Sequence, residues 1–153
     1  QFDYASIIQD MPAYKTAQTE LQGMQDKFKK DLEDMQKELQ TKYEKFQQEV
    51  NDKTPENIRS RRQQELAELG QKLDQARADD EKALQEASSQ KMQPIISKVM
   101  DAINAVAKEG NYVYIMDSNA AQSAGIFINP ALSENVTAKI RTKLGLSASS
   151  AKK

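Results

Sequence analysis

The residues that most often carry catalysis are missing from this chain. Its 153 residues include no His and no Cys. That removes the commonest general base, the commonest metal ligand and any thiolate nucleophile. No Gly-rich loop able to cradle a phosphate occurs. The densest carboxylate group, Asp79-Asp80-Glu81, sits on consecutive residues. Consecutive helical residues point in different directions, so this is a solvated charge run rather than an acid–base pair. No catalytic residue, metal site or cofactor is expected, and what remains is non-covalent chemistry. Met24, Phe28, Met35, Tyr43 and Phe46 recur at helical spacing, with Met100 further along. Thioethers and aromatic rings repack against many partners at little cost, which suits a surface that grips varied apolar segments. The plainer reading is that the same residues only hold two helices together. A second group, Lys53, Arg59, Arg61 and Arg62, surrounds one break in the chain, opposed by Asp52 and Glu56. It reads either as a solvated end or as an anchor for an anionic surface such as lipid headgroups or lipopolysaccharide.

Long helices must position these groups. From Ala17 to Val50 the apolar residues fall at gaps of 4, 3, 4, repeated three times: Ala17, Leu21, Met24, Phe28, Leu32, Met35, Leu39, Tyr43, Phe46, Val50. That 11-residue repeat predicts a nearly straight or weakly right-handed stripe, not the left-handed seam of a heptad coil. A helix of that span is roughly 50 Å long. It is expected to run from about Pro12 to about Asn51, with Pro12 in its first turn. Asn51 to Glu56 breaks it; Thr54 suits a cap and Pro55 the first position of a second helix. So short a connection implies an antiparallel hairpin. The return stripe is weaker: Ile58, Leu66, Leu69, Leu73, Ala76, Leu84, Ala87, with Asp80 at a seam position. From Met92 it strengthens through Ile95, Ile96, Val99, Met100, Ile103 and Val106, and Pro94 predicts an interruption or kink.

Shorter elements flank this pair. Asp3 or Ser6 opens a short helix that ends before Pro12. Gly110 reads as the cap that ends the return helix. Tyr112–Met116 reads as a strand, Asp117-Ser118-Asn119 as a turn, and Gly125–Ile128 as a second strand. Two strands make a marginal sheet, so a third is expected from the region of Phe2 or from other subunits. Ser133 or Asn135 caps a last helix through Val136, Ile140 and Leu144. Residues 147–153 read as a flexible tail.

The bulk numbers agree with long helices and a thin core: 38% apolar residues, 29% charged, five Gly, four Pro and no Trp. Part of the stability is therefore expected from partner subunits. The net charge of −1 argues against a dedicated nucleic-acid binder. No apolar run is long enough to span a membrane. Residue 1 is Gln rather than Met, so a processed or trimmed chain is expected, with its signal peptide and the start of a first strand lost.

The order of elements, with Met11-Pro12-Ala13-Tyr14-Lys15 before the outbound helix, resembles the Skp/OmpH family of periplasmic chaperones. Ala105-Val106-Ala107-Lys108-Glu109-Gly110-Asn111-Tyr112, then Val113 to Asn119, and Asn135-Val136-Thr137 carry the same likeness. The resemblance covers essentially the whole chain. It implies an α+β fold: a long antiparallel helical hairpin, or coiled-coil-like arm, on a small β-containing trimerisation body. Three copies would form a jellyfish-like homotrimer. The body would comprise residues 1–16 and 95–146, the arm residues 17–94, with its tip at 51–57. Phe2, Tyr112, Tyr114, Met116, Ile126 and Ile128 would build the trimer body. The implied function is an ATP-independent periplasmic holdase that keeps unfolded outer-membrane proteins in a cavity between the arms. The alternative is a structural or tethering coiled coil of the cell envelope. Against the basic members of that family, the pI near 5.6 predicts weaker long-range attraction to acidic clients or membranes.

Overall fold

A computed structural model describes residues 1–147 of the chain. The tail expected over 147–153 lies outside the described residues except for Ser147. Five helices follow in order: α1 (Tyr4–Asp10), α2 (Pro12–Glu49), α3 (Glu56–Gly110), α4 (Ser118–Ser123) and α5 (Thr137–Lys143). By internal contacts the chain divides into two compact units. One holds Gln1–Thr19 together with Ser89 onward, and the other holds Glu20–Ser88.

The first unit contains the true core. Ile7, Ile8 and Met11 join Ala17 of α2, Ile95, Val99, Ala102, Ile103 and Val106 of α3, Val136 just before α5 and Ile140 within it. The α3 positions fall at i, i+4, i+7, i+8 and i+11, the stripe an amphipathic helix presents to a core. The N-terminal residues are tied into this unit by hydrogen bonds. Phe2 N–H donates to Met116 O at 3.0 Å, Ser118 N–H donates to Phe2 O at 2.9 Å, and Val136 N–H donates to Gln1 O at 2.8 Å. Asp3 caps α1 by accepting from Ser6 N–H at 3.0 Å. Met11 O accepts from Tyr14 and Lys15 N–H, which leaves Pro12 as the first residue of α2, where its missing N–H costs nothing.

Two expectations about this unit are corrected. Neither Tyr112–Met116 nor Gly125–Ile128 forms a strand. The sole β-type contact among the described residues is an isolated parallel bridge between Phe2 and Asp117. Of the run after Tyr112 only the end is tied to another segment, through the bonds of Met116 and Ser118 to Phe2. Gly125 is drawn into a left-handed cap (φ 70°), and Ile126 N–H is used on Ala121 O at 2.8 Å. The expected turn at Asp117-Ser118-Asn119 is the start of α4, because Asp117 caps it by accepting from Ala120 N–H at 2.9 Å. Short polar side chains serve turns and helix caps by the same local bond, so sequence alone leaves the choice open.

The end of α3 is a further correction. The left-handed residue is Asn111 (φ 50°), not Gly110. Tyr112 N–H reaches Ala107 O at 3.0 Å and Asn111 N–H reaches Lys108 O at 3.4 Å, the Schellman pairing. The role of Gly110 is steric: a Cβ there would collide with the Tyr112 ring. Nor does Pro94 interrupt α3, which runs unbroken from Glu56 to Gly110. A proline inside a helix costs on the order of 3 kcal/mol. Burial of Ile95 and Val99, immediately after it, offsets that cost.

The second unit is a two-helix hairpin. Helix α2 ends at Glu49, and Val50–Pro55 make the turn. Thr54 Oγ1 accepts from Asn51 N–H at 2.9 Å, and Asn51 Oδ1 accepts from Lys53 N–H at 2.8 Å. Pro55 lies just before the first helical residue, its carbonyl accepting from Ile58 and Arg59 N–H. On the return helix Leu73 is buried; Ile58, Leu66, Leu69, Ala76, Asp80 and Leu84 are half-buried.

Candidate binding surfaces

A pair of helices can cover a wide stripe from one side only. The outbound stripe shows this. Leu21, Met24, Phe28, Leu32, Met35, Leu39, Phe46 and Val50 are all half-buried, and Tyr43 is 47% exposed. Each position gains on the order of 1 kcal/mol from partial cover while leaving apolar surface at the solvent boundary. Tyr43 holds its hydroxyl outward as acceptor for Gln47 Nε2 at 3.1 Å. Met100 belongs to the other unit, where it is 47% exposed beside Ile96, one turn earlier on α3 and also exposed.

Phe46 and Leu66 also lie in a cleft of about 540 Å³ between the two helices of the hairpin. Lys37, Lys42, Lys45 and Arg62 line it together with Asp34, Glu38 and Glu65. Sequence reasoning missed these lysines. Lys42 and Lys45, three residues apart, share a face, while Lys37, five residues before Lys42, reaches the cleft from its flank.

The basic turn is less basic than its count suggests. Arg62 pairs with Glu49 at 3.0 Å, and Arg59 pairs with Glu56 at 3.5 Å. Glu49 lies just before the turn and was not weighed as an opposing charge. Lys53 and Arg61 carry no ion pair among the described residues. The free positive charge at this end is therefore that of two side chains, and exposed pairs such as these contribute roughly 0–1 kcal/mol.

The residues expected to build an assembly surface are divided. Phe2 is consumed by the chain's own core, packed edge-on against Tyr4 with ring centroids 6.3 Å apart. Tyr112, Met116 and Ile128 are half-buried, and Tyr114 and Ile126 are exposed. The most exposed large apolar residues here were not singled out: Val113, Phe127 (85%) and Leu132 (86%). Phe127 lies between Ile126 and Ile128, both expected in that surface.

Tyr112 anchors a polar knot on the same unit. Its hydroxyl donates to Glu134 Oε2 and accepts from Lys139 Nζ at 3.0 Å, and Lys139 also pairs with Glu134 Oε1 at 2.6 Å. The Lys139 ammonium lies 5.5 Å from the centre of the Tyr112 ring. Hydrogen bonds from Lys139 first, and Tyr112 second, hold the Glu134 carboxyl below the usual carboxylate range. Hydrogen bonds to Glu134 first, and to Tyr112 second, raise the pKa of Lys139. The knot fixes loop to helix and forms no cleft.

Among the described residues no group of acidic side chains is arranged to hold a metal, and no helix is long and apolar enough to cross a membrane. The hairpin carries a Met- and aromatic-bearing stripe that its facing helix only half covers. The chain belongs to the OmpH-like outer membrane protein family, whose model matches residues 2–144. That family consists of periplasmic chaperones of outer-membrane proteins, not of enzymes. No curated protein matches the chain.

Proposed function

We propose that this chain is an ATP-independent holdase of the periplasm, working as a homotrimer that keeps unfolded outer-membrane proteins from aggregating. The observation that carries the reading is the half-buried state of Met24, Phe28, Met35 and Phe46, together with the exposure of Tyr43. Apolar groups at the solvent boundary of a helical hairpin offer an unfolded chain many weak contacts. Three hairpins around one client raise the effective concentration of each further contact. Enclosure in the cavity between them keeps unpaired strand edges of the client from pairing with other chains. Release needs no nucleotide, since a client that folds elsewhere no longer presents apolar surface.

The exposure of Val113, Tyr114, Phe127 and Leu132 supports self-association, because a single copy leaves these side chains in water. At the hairpin end, Lys53 and Arg61 are the groups available to an anionic membrane or lipopolysaccharide. The test is dilution of a urea-unfolded outer-membrane β-barrel into buffer with this protein. Suppressed light scattering at near-stoichiometric trimer, unchanged by ATP, is the expected result. Undiminished aggregation would leave the structural-tether reading in its place. Replacing Phe28 and Phe46 by Ser should weaken capture more than replacing exposed lysines of the same helix.

A further inference from the structure

With no Cys in the chain, its six methionines are the only sulfur available to an oxidant. Their environments differ. Met11 is 5% exposed in the core, Met24, Met35, Met92 and Met116 are half-buried, and Met100 stands 47% exposed. Met100 follows the fully buried Val99 and precedes the buried pair Ala102 and Ile103. Its side chain therefore leaves α3 away from the core, beside that of Ile96.

We propose that Met100 is an oxidation site that switches the character of this patch. A peroxide or hypochlorous acid transfers one oxygen atom to the Met100 Sδ. The sulfur loses two electrons and becomes a sulfoxide, while the O–O or O–Cl bond breaks and the oxidant leaves as water or chloride with its proton. The product bears a strong hydrogen-bond acceptor where the thioether had been apolar and deformable. Because the side chain points away from the packed residues, the core is untouched and the fold survives. The surface formed with Ile96 becomes polar and loses its attraction for apolar segments. A sulfoxide reductase, the class of enzyme that returns two electrons to this product, would restore it. The consequence for capture rests on the proposed holdase function; the oxidation order does not.

The test is graded treatment of the full chain with hydrogen peroxide, followed by peptide mass mapping and the aggregation assay. Met100 should gain one oxygen several-fold faster than Met11 and ahead of the half-buried methionines, with helical circular dichroism unchanged. Capture by the native chain should fall as Met100 converts, whereas Met100→Leu, compared with its own untreated level, should keep its capture through the same dose. Conversion of Met100 no faster than Met11 would overturn the site. Equal loss of capture in Met100→Leu would overturn the switch. If the untreated chain does not suppress aggregation, the holdase reading fails, while the order of oxidation still decides the site.

Discussion

Single residues here act through space more than through charge. Gly110 is needed because Tyr112 folds back over it. Gly23 and Gly70 sit inside α2 and α3 with open space where a Cβ would go. Opposite effects are expected. Gly110→Ala should destabilise by about 1–3 kcal/mol through forced repacking of the ring. Gly23→Ala and Gly70→Ala should each stabilise by about 0.5–1 kcal/mol, since a helical Gly costs that much relative to Ala. Urea denaturation followed by circular dichroism reads all three. The Glu134 knot makes a pH prediction. With its folded pKa depressed by Lys139 and Tyr112, Glu134 adds stability at pH above the ordinary carboxylate range. That contribution is lost as pH falls through the folded value. Carbon NMR of the Glu134 carboxyl should show a titration midpoint below the ordinary value, and Lys139→Met should return it upward; an unmoved midpoint would contradict the pairing.

At the scale of elements, what was legible depended on how much of each signal was local. The stripe from Ala17 to Val50 and Pro12 at its first position placed α2. The break near Thr54 placed the start of α3 to within a residue, although Pro55 falls just before that helix and Thr54 bonds back to Asn51 instead of capping it. The start of α1 was narrowed to Asp3 or Ser6, and Asp3 is the cap. The strands were not legible, since strand content is a property of partners: Tyr112–Met116 has the β-branched and aromatic residues but no ladder among the described residues. Asp117 was misread because its cap bond and a turn bond have the same reach. Pro94 was overweighted, because propensity is local and the burial of Ile95 and Val99 is not. Along the outbound stripe side-chain type and helical spacing were legible in the sequence; how far each residue is covered by the facing helix was beyond it. Asp117 offers the sharpest element-level test. Its Oδ1 also accepts from Tyr4 N–H at 3.0 Å, so one carboxylate starts α4 and holds the entry to α1. Asp117→Ala should cost more than the roughly 0.5–2 kcal/mol of a single cap. Asp117→Asn should recover most of it. Thermal unfolding of the two variants separates a shared anchor from an ordinary cap.

For the whole molecule, the question is what covers Phe127 and Leu132. If copies of the chain do, Phe127→Ser with Leu132→Ser should lower the sedimentation coefficient from trimer toward monomer at micromolar concentration. Far-ultraviolet circular dichroism should stay near native, since neither side chain contributes to the chain's own core. An unchanged trimer would move the interface elsewhere. The buried Arg141 separates self-assembly from folding. It is 4% exposed, pairs with Asp10 at 2.9 Å and donates to Ser147 O at 2.8 Å. Replacing Arg141 takes this ion pair from the half-exposed Asp10, at a cost of about 1–3 kcal/mol. Arg141→Met should therefore destabilise the first unit rather than dissociate folded copies.

The joining of Gln1 to Glu134 and Val136, and of Asp3 to Thr137, spans nearly the full length of the chain. A polypeptide made from its N-terminus can therefore pair α2 with α3 while synthesis continues, because those contacts are close in sequence. The faces of Ile7 and Ile8 must wait for residues 95–106, and the core they join is completed only when Val136 and Ile140 emerge. Contacts of such long range are slow to form. Refolding should accordingly show helix formation in an early phase and burial of the N-terminal residues in a late one. For that interval the molecule is itself an unfolded chain with exposed apolar side chains, the kind of species it is proposed to protect.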